Sequence, residues 1–180
     1  MENETVRKIK EAVAEAEFVL IGIGEEFQAA QGADAEVENA GILEAYNRLA
    51  ELVKGKTYFV VTQNGDELIF SSSLLDFFIS APMAETNREA ASEERWNSYL
   101  NWLSATLNHR LCVLELGVGF AMPQMIRWPF EKTVRYNQKS VLIRINEKFP
   151  QLPEELAERG YSVRQNAVRQ IRELDNGKLA

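Results

Sequence analysis

The sequence predicts a three-layer α/β fold, a parallel β-sheet with helices on both faces. Strand-like and helix-like runs alternate four times along the chain. The strand-like runs are continuously apolar, as in parallel strands buried on both faces. They also end abruptly in Gly, Asn or Asp, where a parallel sheet opens its ligand crevice.

Val6, Ile9 and Val13 follow a helical repeat and predict an amphipathic helix over residues 3–16. Phe18-Val19-Leu20-Ile21 is the first strand and breaks at Gly22-Ile23-Gly24. A helical start at Glu25–Ala30 follows, which makes a βα corner rich in glycine; a tight turn would use the same glycines. Residues 31–41 read as a loop. Ile42, Tyr46, Leu49 and Val53 mark a second helix that ends near Lys54-Gly55. Tyr58–Thr62 is the second strand, followed by Gln63-Asn64-Gly65-Asp66. Asn64-Gly65 between apolar runs also fits a β-hairpin with a type I′ turn. Strands joined through helices pair in parallel, which favours a strand that leads into a ligand-facing loop. Residues 67–71 complete the hairpin if they are strand and the βα unit if they are helix.

Residues 79–94 read as a surface connection that becomes helix, with Ser92 as its cap and Glu93 and Glu94 in the first turn. Trp96, Tyr99, Leu100, Leu103 and Leu107 give that helix an apolar stripe. Trp96 is then core, while Trp102 lies off the stripe and suits a partner surface. Leu111–Leu116 is the third strand and ends at Gly117-Val118-Gly119. Pro123 suits the first turn of the next helix, and Pro129 should break or kink it early. Val141–Ile145 is the fourth strand, closed by Asn146. After Pro150 and Pro153, Glu154–Arg159 reads as a short helix stopped by Gly160, and Tyr161–Val163 as a brief edge strand. Val168, Ile171 and Leu174 form a last helix, with fraying expected from Asn176-Gly177.

Composition narrows the function classes. The 180 residues are 46% hydrophobic and 26% charged, which fits one globular domain over residues 1–180. A net charge of −7 argues against nucleic acid as a partner. Arg164, Arg169 and Arg172 read as a solvated helix face. No apolar run approaches the roughly 18 residues of a membrane span, and the acidic start Met1-Glu2-Asn3-Glu4 is unlike a secretory signal. The single cysteine, Cys112, lies inside a strand and makes neither a disulfide nor a Cys-x-x-Cys metal site. A cytoplasmic protein is expected.

Four of the corners together resemble those of sirtuins, the Sir2 family of NAD-dependent deacylases. Thr62-Gln63-Asn64-Gly65-Asp66 is similar to the family's Thr-Gln-Asn-Ile-Asp, and Gly22-Ile23-Gly24 stands where it carries Gly-Ala-Gly. Gly117-Val118-Gly119 stands for its Gly-Thr-Ser, and Ile145-Asn146 matches its Ile-Asn. Short bacterial Sir2-like proteins, including the class encoded beside macrodomains, resemble the chain further over Lys56–Thr62 and Glu115–Gly119. The resemblance implies a Rossmann-like (sirtuin/DHS-like) NAD-binding fold. It assigns Gly22, Ile23 and Gly24 to the pyrophosphate loop. Asn64 and Asp66 would face the nicotinamide and its ribose, with Asn64 orienting the attacking group and Gln63 beside the ribose. Gly117, Val118 and Gly119 would approach ribose and phosphates, and Asn146 the adenine-side ribose. Amide side chains both donate to and accept from sugar hydroxyls, so the residue types suit these roles.

The sequence also departs from the family. Sirtuins carry a His-Gly soon after the second strand, where the histidine is the general base. Here the only histidine, His109, precedes the third strand, at the opposite edge of the sheet. The zinc module is absent, and residues 79–94 are too short to hold one, so no metal is expected. Glu25 and Glu26 replace the family's arginine and serine after the first glycine loop. A carboxylate about 5 Å from a phosphate costs roughly 3 kcal/mol at an effective dielectric near 20. Two functions stay open. One is an NAD-consuming enzyme acting by deacylation, ADP-ribosyl transfer or glycohydrolysis, on a protein substrate or on water. The other is an inactive domain that binds NAD or an ADP-ribose-type nucleotide as a sensor or partner subunit.

Overall fold

The computed structural model describes residues 3–175. In chain order these form α1 (Glu4–Glu15), β1 (Phe18–Ile23), α2 (Ala35–Leu52), β2 (Thr57–Thr62), β3 (Ile79–Ser80), α3 (Glu93–Ala105), β4 (Leu111–Leu116), α4 (Arg127–Tyr136), β5 (Ser140–Ile145), β6 (Gly160–Val163) and α5 (Ala167–Arg172). The expected fraying at Asn176-Gly177 lies outside the described residues.

The six strands form one sheet in the order β3-β2-β1-β4-β5-β6. Every neighbouring pair is parallel. The chain winds outward from β1 in one direction and from β4 in the other. The crevice between their C-terminal ends is therefore the topological switch point, where ligands meet such sheets. Cluster membership of the buried side chains shows the three layers. Val6, Ile9 and Val13 of α1, Ile42, Tyr46 and Leu49 of α2, and Ile171 of α5 pack with Val19, Ile21, Val60 and Leu114 on one face. Tyr99 of α3 and Phe130 and Val134 of α4 pack with Leu20, Phe59, Val61 and Val113 on the other. Cys112 is fully buried on the first face, where burial pushes its thiol up to about 12.

Several expectations from sequence are corrected. The hairpin is excluded: the chain leaves β2 for a 3-10 turn at Leu68–Ser71 and returns as the parallel strand β3. A type I′ turn needs positive φ at both central residues, and neither Asn64 nor Gly65 has it. Residues 67–71 are thus neither a strand nor a full helix. The two-residue β3 lies inside the stretch read as a surface connection, too short to give a strand signal. Glu25–Phe27 is only a 3-10 turn, and α2 begins seven residues before Ile42. The first two turns of α2 bury little, with Val37 77% exposed, so they carry no apolar period.

On α3 the inward side is Arg95 and Tyr99, followed by Thr106 just past the helix end, with Trp96, Trp102 and Leu103 half-buried. Leu100 and Leu107 are exposed. Trp102 is not a surface aromatic, because its ring packs edge-on against Phe18 and tilted against Phe59. The exposed tryptophan is Trp128. Pro123 lies in a turn before α4, not in its first helical turn. Pro129 does not break α4. It is the third helical residue, where the N–H that proline lacks has no intrahelical acceptor. Ser92 caps α3 by accepting the Arg95 N–H. Arg164, Arg169 and Arg172 are exposed, and Arg172 also pairs with Glu44 of α2 at 2.8 Å.

Gly22 has a packing role within the sheet. A Cβ there would lie 2.5 Å from the Phe130 ring and 2.6 Å from Ile126 Cγ2. Gly22→Ala should therefore lower the unfolding free energy in urea by roughly 1–3 kcal/mol, the usual cost of overpacking. Phe130→Ala, which empties the fully buried ring site, should cost about 3–5 kcal/mol.

Candidate functional site

The corners at the ends of β1, β2, β4 and β5 meet at the switch point and are stitched together by backbone. The Gly24 N–H donates to the Leu116 carbonyl at 3.0 Å, and the Gly117 N–H donates to Ile145 at 2.8 Å. The space that a Gly24 Cβ would need is filled by the Gly117 carbonyl and Val118 Cα, so only glycine allows this approach. Gly117 itself has φ +68°, in the left-handed region. Ile23 and Val118 are fully buried on opposite faces of the sheet.

Most of the polar side chains predicted for the site are engaged in holding these corners. Asn64 donates from Nδ2 to the Gly24 carbonyl at 2.9 Å. Burial first, and then the charge of Asp66, raise the Tyr46 hydroxyl above its ordinary value. Asp66 accepts the Ala29 N–H at 2.9 Å and the Leu68 N–H at 3.1 Å, and so ties the β1 and β2 loops. Asn146 donates to the Val118 carbonyl at 3.0 Å and accepts the Lys148 and Phe149 N–H groups. Gln63 differs. It is 4% exposed, and its Oε1 has no hydrogen-bond partner; the same is true of Ser80 Oγ at the end of β3.

Glu25 and Glu26 turn into the crevice. Glu26 accepts the Glu147 N–H at 2.8 Å through Oε1 and the Ala167 N–H at 3.1 Å through Oε2. Its Cβ lies 2.5 Å from where a Gly117 Cβ would be, and Glu25 Oε1 lies against Gly119. Desolvation raises the Glu26 carboxyl above its ordinary value, opposed by the two backbone N–H groups and reinforced by the charges of Glu147 and Glu25. Glu25, Glu26, Asn146, Glu147, Lys148 and Phe149 line a recess of about 260 Å³. A second, apolar recess of about 430 Å³ lies at the β3–α3 connection, between Pro82, Trp96 and Met125.

Beneath the β4 and β5 corners is a buried ionic network that sequence reasoning missed. Arg144 donates to Glu115 from Nε at 2.8 Å and from Nη2 at 2.9 Å, and from Nη2 also to Glu131 at 2.9 Å. Both Arg144 and Glu115 are fully buried. Arg127 stands 3.8 Å from Glu115 and donates to the carbonyls of Val118, Phe149 and Gln151. The signal was present in the sequence: Glu115 and Arg144 are the charges inside two apolar strands, and they are register partners.

Comparison with known proteins sharpens the assignment. No protein-family model matches the chain. Protein ADP-ribosyltransferase of Staphylococcus aureus (strain Mu50 / ATCC 700699) is 27% identical over 77 residues, 43% of this chain. Those residues span only 24% of that relative's length. A solved chain, described under the structural basis for the mechanism and regulation of Sir2 enzymes, aligns over 97% of this chain and 98% of its own. The TM-score is 0.56 at 10% identity. The fold is Sir2-like.

His109, the only histidine, precedes β4 at the N-terminal edge of the sheet, half exposed and 3.6 Å from Glu17. Among the described residues, no group of three or more His, Cys, Asp or Glu could hold a metal ion. An anion placed at these glycine corners would meet the carboxylates of Glu25 and Glu26 as arranged.

Removing one partner of the buried network should be strongly destabilising. Arg144→Met strands Glu115 and is expected to cost about 3–5 kcal/mol in denaturant unfolding. Glu26 predicts a pH effect. Its raised carboxyl means that the folded chain holds this proton more tightly than the unfolded chain. Stability from this group is full below the ordinary carboxylate value of 4.5 and declines as pH rises through the raised folded value. Glu26→Gln should abolish that decline, read as unfolding free energy against pH for the two proteins.

Proposed function

We propose that this chain is a Sir2-like nucleotide-binding protein for NAD or an ADP-ribose-type ligand that does not turn its ligand over alone, and so serves as a sensor or partner subunit. In this reading Gly22, Ile23, Gly24, Gln63, Asn64, Asp66, Gly117, Val118, Gly119 and Asn146 form the nucleotide edge. The observation that carries it is the engagement of Asn64 and Asp66. The amide nitrogen of Asn64 holds the Gly24 carbonyl, and both Asp66 oxygens hold backbone N–H groups. These side chains brace loops and are not poised against a reacting sugar. The other half of the argument is the missing base. Without a histidine at the crevice, the ribose hydroxyl loses general-base help worth typically about 10²–10⁴-fold.

A second reading is an NAD-consuming enzyme, acting by ADP-ribosyl transfer, deacylation or glycohydrolysis. It draws on the free, buried Gln63 Oε1 at the end of β2 and on the name of the Staphylococcus relative.

One assay separates the two. The protein is incubated with NAD and an acetylated peptide, and nicotinamide release is measured. The expected result is release no faster than in the protein-free control. Release that disappears in Asn64→Ala would overturn the binding reading in favour of the enzyme. Binding itself is read by thermal denaturation: ADP-ribose at 100 times its dissociation constant should add about 2.7 kcal/mol of stability.

A further inference from the structure

We propose that the outer face of α3 is a homodimer interface, in which the helix packs antiparallel against the same helix of a second copy, about a twofold axis between residues 101 and 102.

Trp96, Leu100, Leu103 and Leu107 recur at i, i+4, i+7 and i+11, so they share one side of the helix. The inward side is taken by Arg95 and Tyr99, which leaves Leu100 and Leu107 exposed and Trp96 and Leu103 half-buried. No charged residue stands between Trp96 and Asn108, in a chain that is 26% charged. The exposed neighbours of the stripe, Asn97, Asn101, Ser104 and Ala105, are all uncharged. Depletion of charge around aromatic and aliphatic side chains marks the core of a protein interface; a solvated helix face carries charges. The opposite helical layer differs. Among the described residues of α1, α2 and α5, Val37 is the one large hydrophobic side chain that is exposed.

Charge and residue order point to a second copy as the occupant. A net charge of −7 makes two copies repel over most of their surface, and a twofold contact sets a patch against itself. An uncharged patch meets itself without like charges opposed. The order of residues along α3 is also palindromic about the axis. Antiparallel pairing sets Trp96 opposite Leu107 and Leu100 opposite Leu103, and each contact occurs twice. At the ends it sets the exposed acids Glu93 and Glu94 of one copy against Arg110 and His109 of the other. A parallel pairing would oppose acid to acid and base to base. His109 and Arg110 also stand 3.6 and 4.0 Å from Glu17 of their own chain, so these rim pairs fix the direction of packing more than its strength.

The two ends of the stripe match in shape. Trp96 borders the apolar recess of about 430 Å³ with Pro82 and Met125, while Leu107 is exposed just past the helix end. Set opposite Trp96, the Leu107 of each copy fills the recess of the other.

The test is sedimentation equilibrium of the full chain up to millimolar concentration. The expected result is a reversible monomer–dimer equilibrium with no larger species. Leu100→Glu and Leu107→Glu change exposed side chains, so the fold is kept, and each should raise the dissociation constant at least about tenfold. Val37→Glu makes the same charge change on the opposite layer and should leave it unaltered. Glu93→Arg and Arg110→Glu should each weaken the dimer roughly threefold. The variant carrying both should recover wild-type affinity, because residues 93 and 110 lie at opposite ends of one helix and meet only across an antiparallel pair. Far-UV circular dichroism checks the folding of every variant. A wild type that stays monomeric throughout, a dimer that tolerates both leucine variants, or growth beyond the dimer overturns the proposal. Failure of the double charge variant to recover overturns the antiparallel pairing on which it rests.

Discussion

Much of the molecule depends on the contact between Gly24 and the Gly117–Val118 backbone. Two strand ends on either side of the switch point touch main chain to main chain, closer than any side chain would allow. Each neighbouring corner is then measured from that contact. Asn64 brings in β2 through the Gly24 carbonyl, Glu26 bonds the Gly117 carbonyl through its backbone N–H, and Asn146 and Arg127 both reach the Val118 carbonyl. The crevice is therefore a set of loops cross-braced by backbone acceptors. A change at any of these glycines would disturb four strand ends together.

The buried ion network explains how such loops are held at the edge of an apolar layer. Burying Glu115, Arg144 and Arg127 costs several kcal/mol per ion before pairing, and apolar residues of similar volume can be as stable. Apolar residues could not, however, donate to the carbonyls of Val118, Phe149 and Gln151, which lie beyond the regular sheet bonds. Arg127 donates to all three, and Arg144 also donates to that of Gln151. The charges in the sheet thus serve the irregular backbone above it, with a bidentate Glu115–Arg144 pair as their anchor.

The layers, the four long strands and the glycine and asparagine corners were legible in the sequence, because each is encoded by a local run and a local break. What was not legible arises from distant partners. The first turns of α2 bury too little to show a period. β3 is two residues long, and its pairing with β2 comes from the sheet, not from its own composition. Trp102 lies off the stripe of its helix in sequence, yet it meets Phe18 and Phe59, which are distant along the chain. At the candidate site the residue types could be read, but their engagement could not. No spacing rule reveals that Asn64, Asp66 and Asn146 are turned toward backbone, or that Glu26 reaches residues 121 and 141 positions away.

The borders of the sheet carry a separate consequence. β3 presents two residues and β6 four, against six in each inner strand. An exposed strand edge is a template on which another chain can add a strand and begin aggregation. Here each border offers a foothold shorter than the roughly five to six residues of a common strand. The layered core thus combines long, strongly apolar inner strands with rims that give intruding strands little purchase.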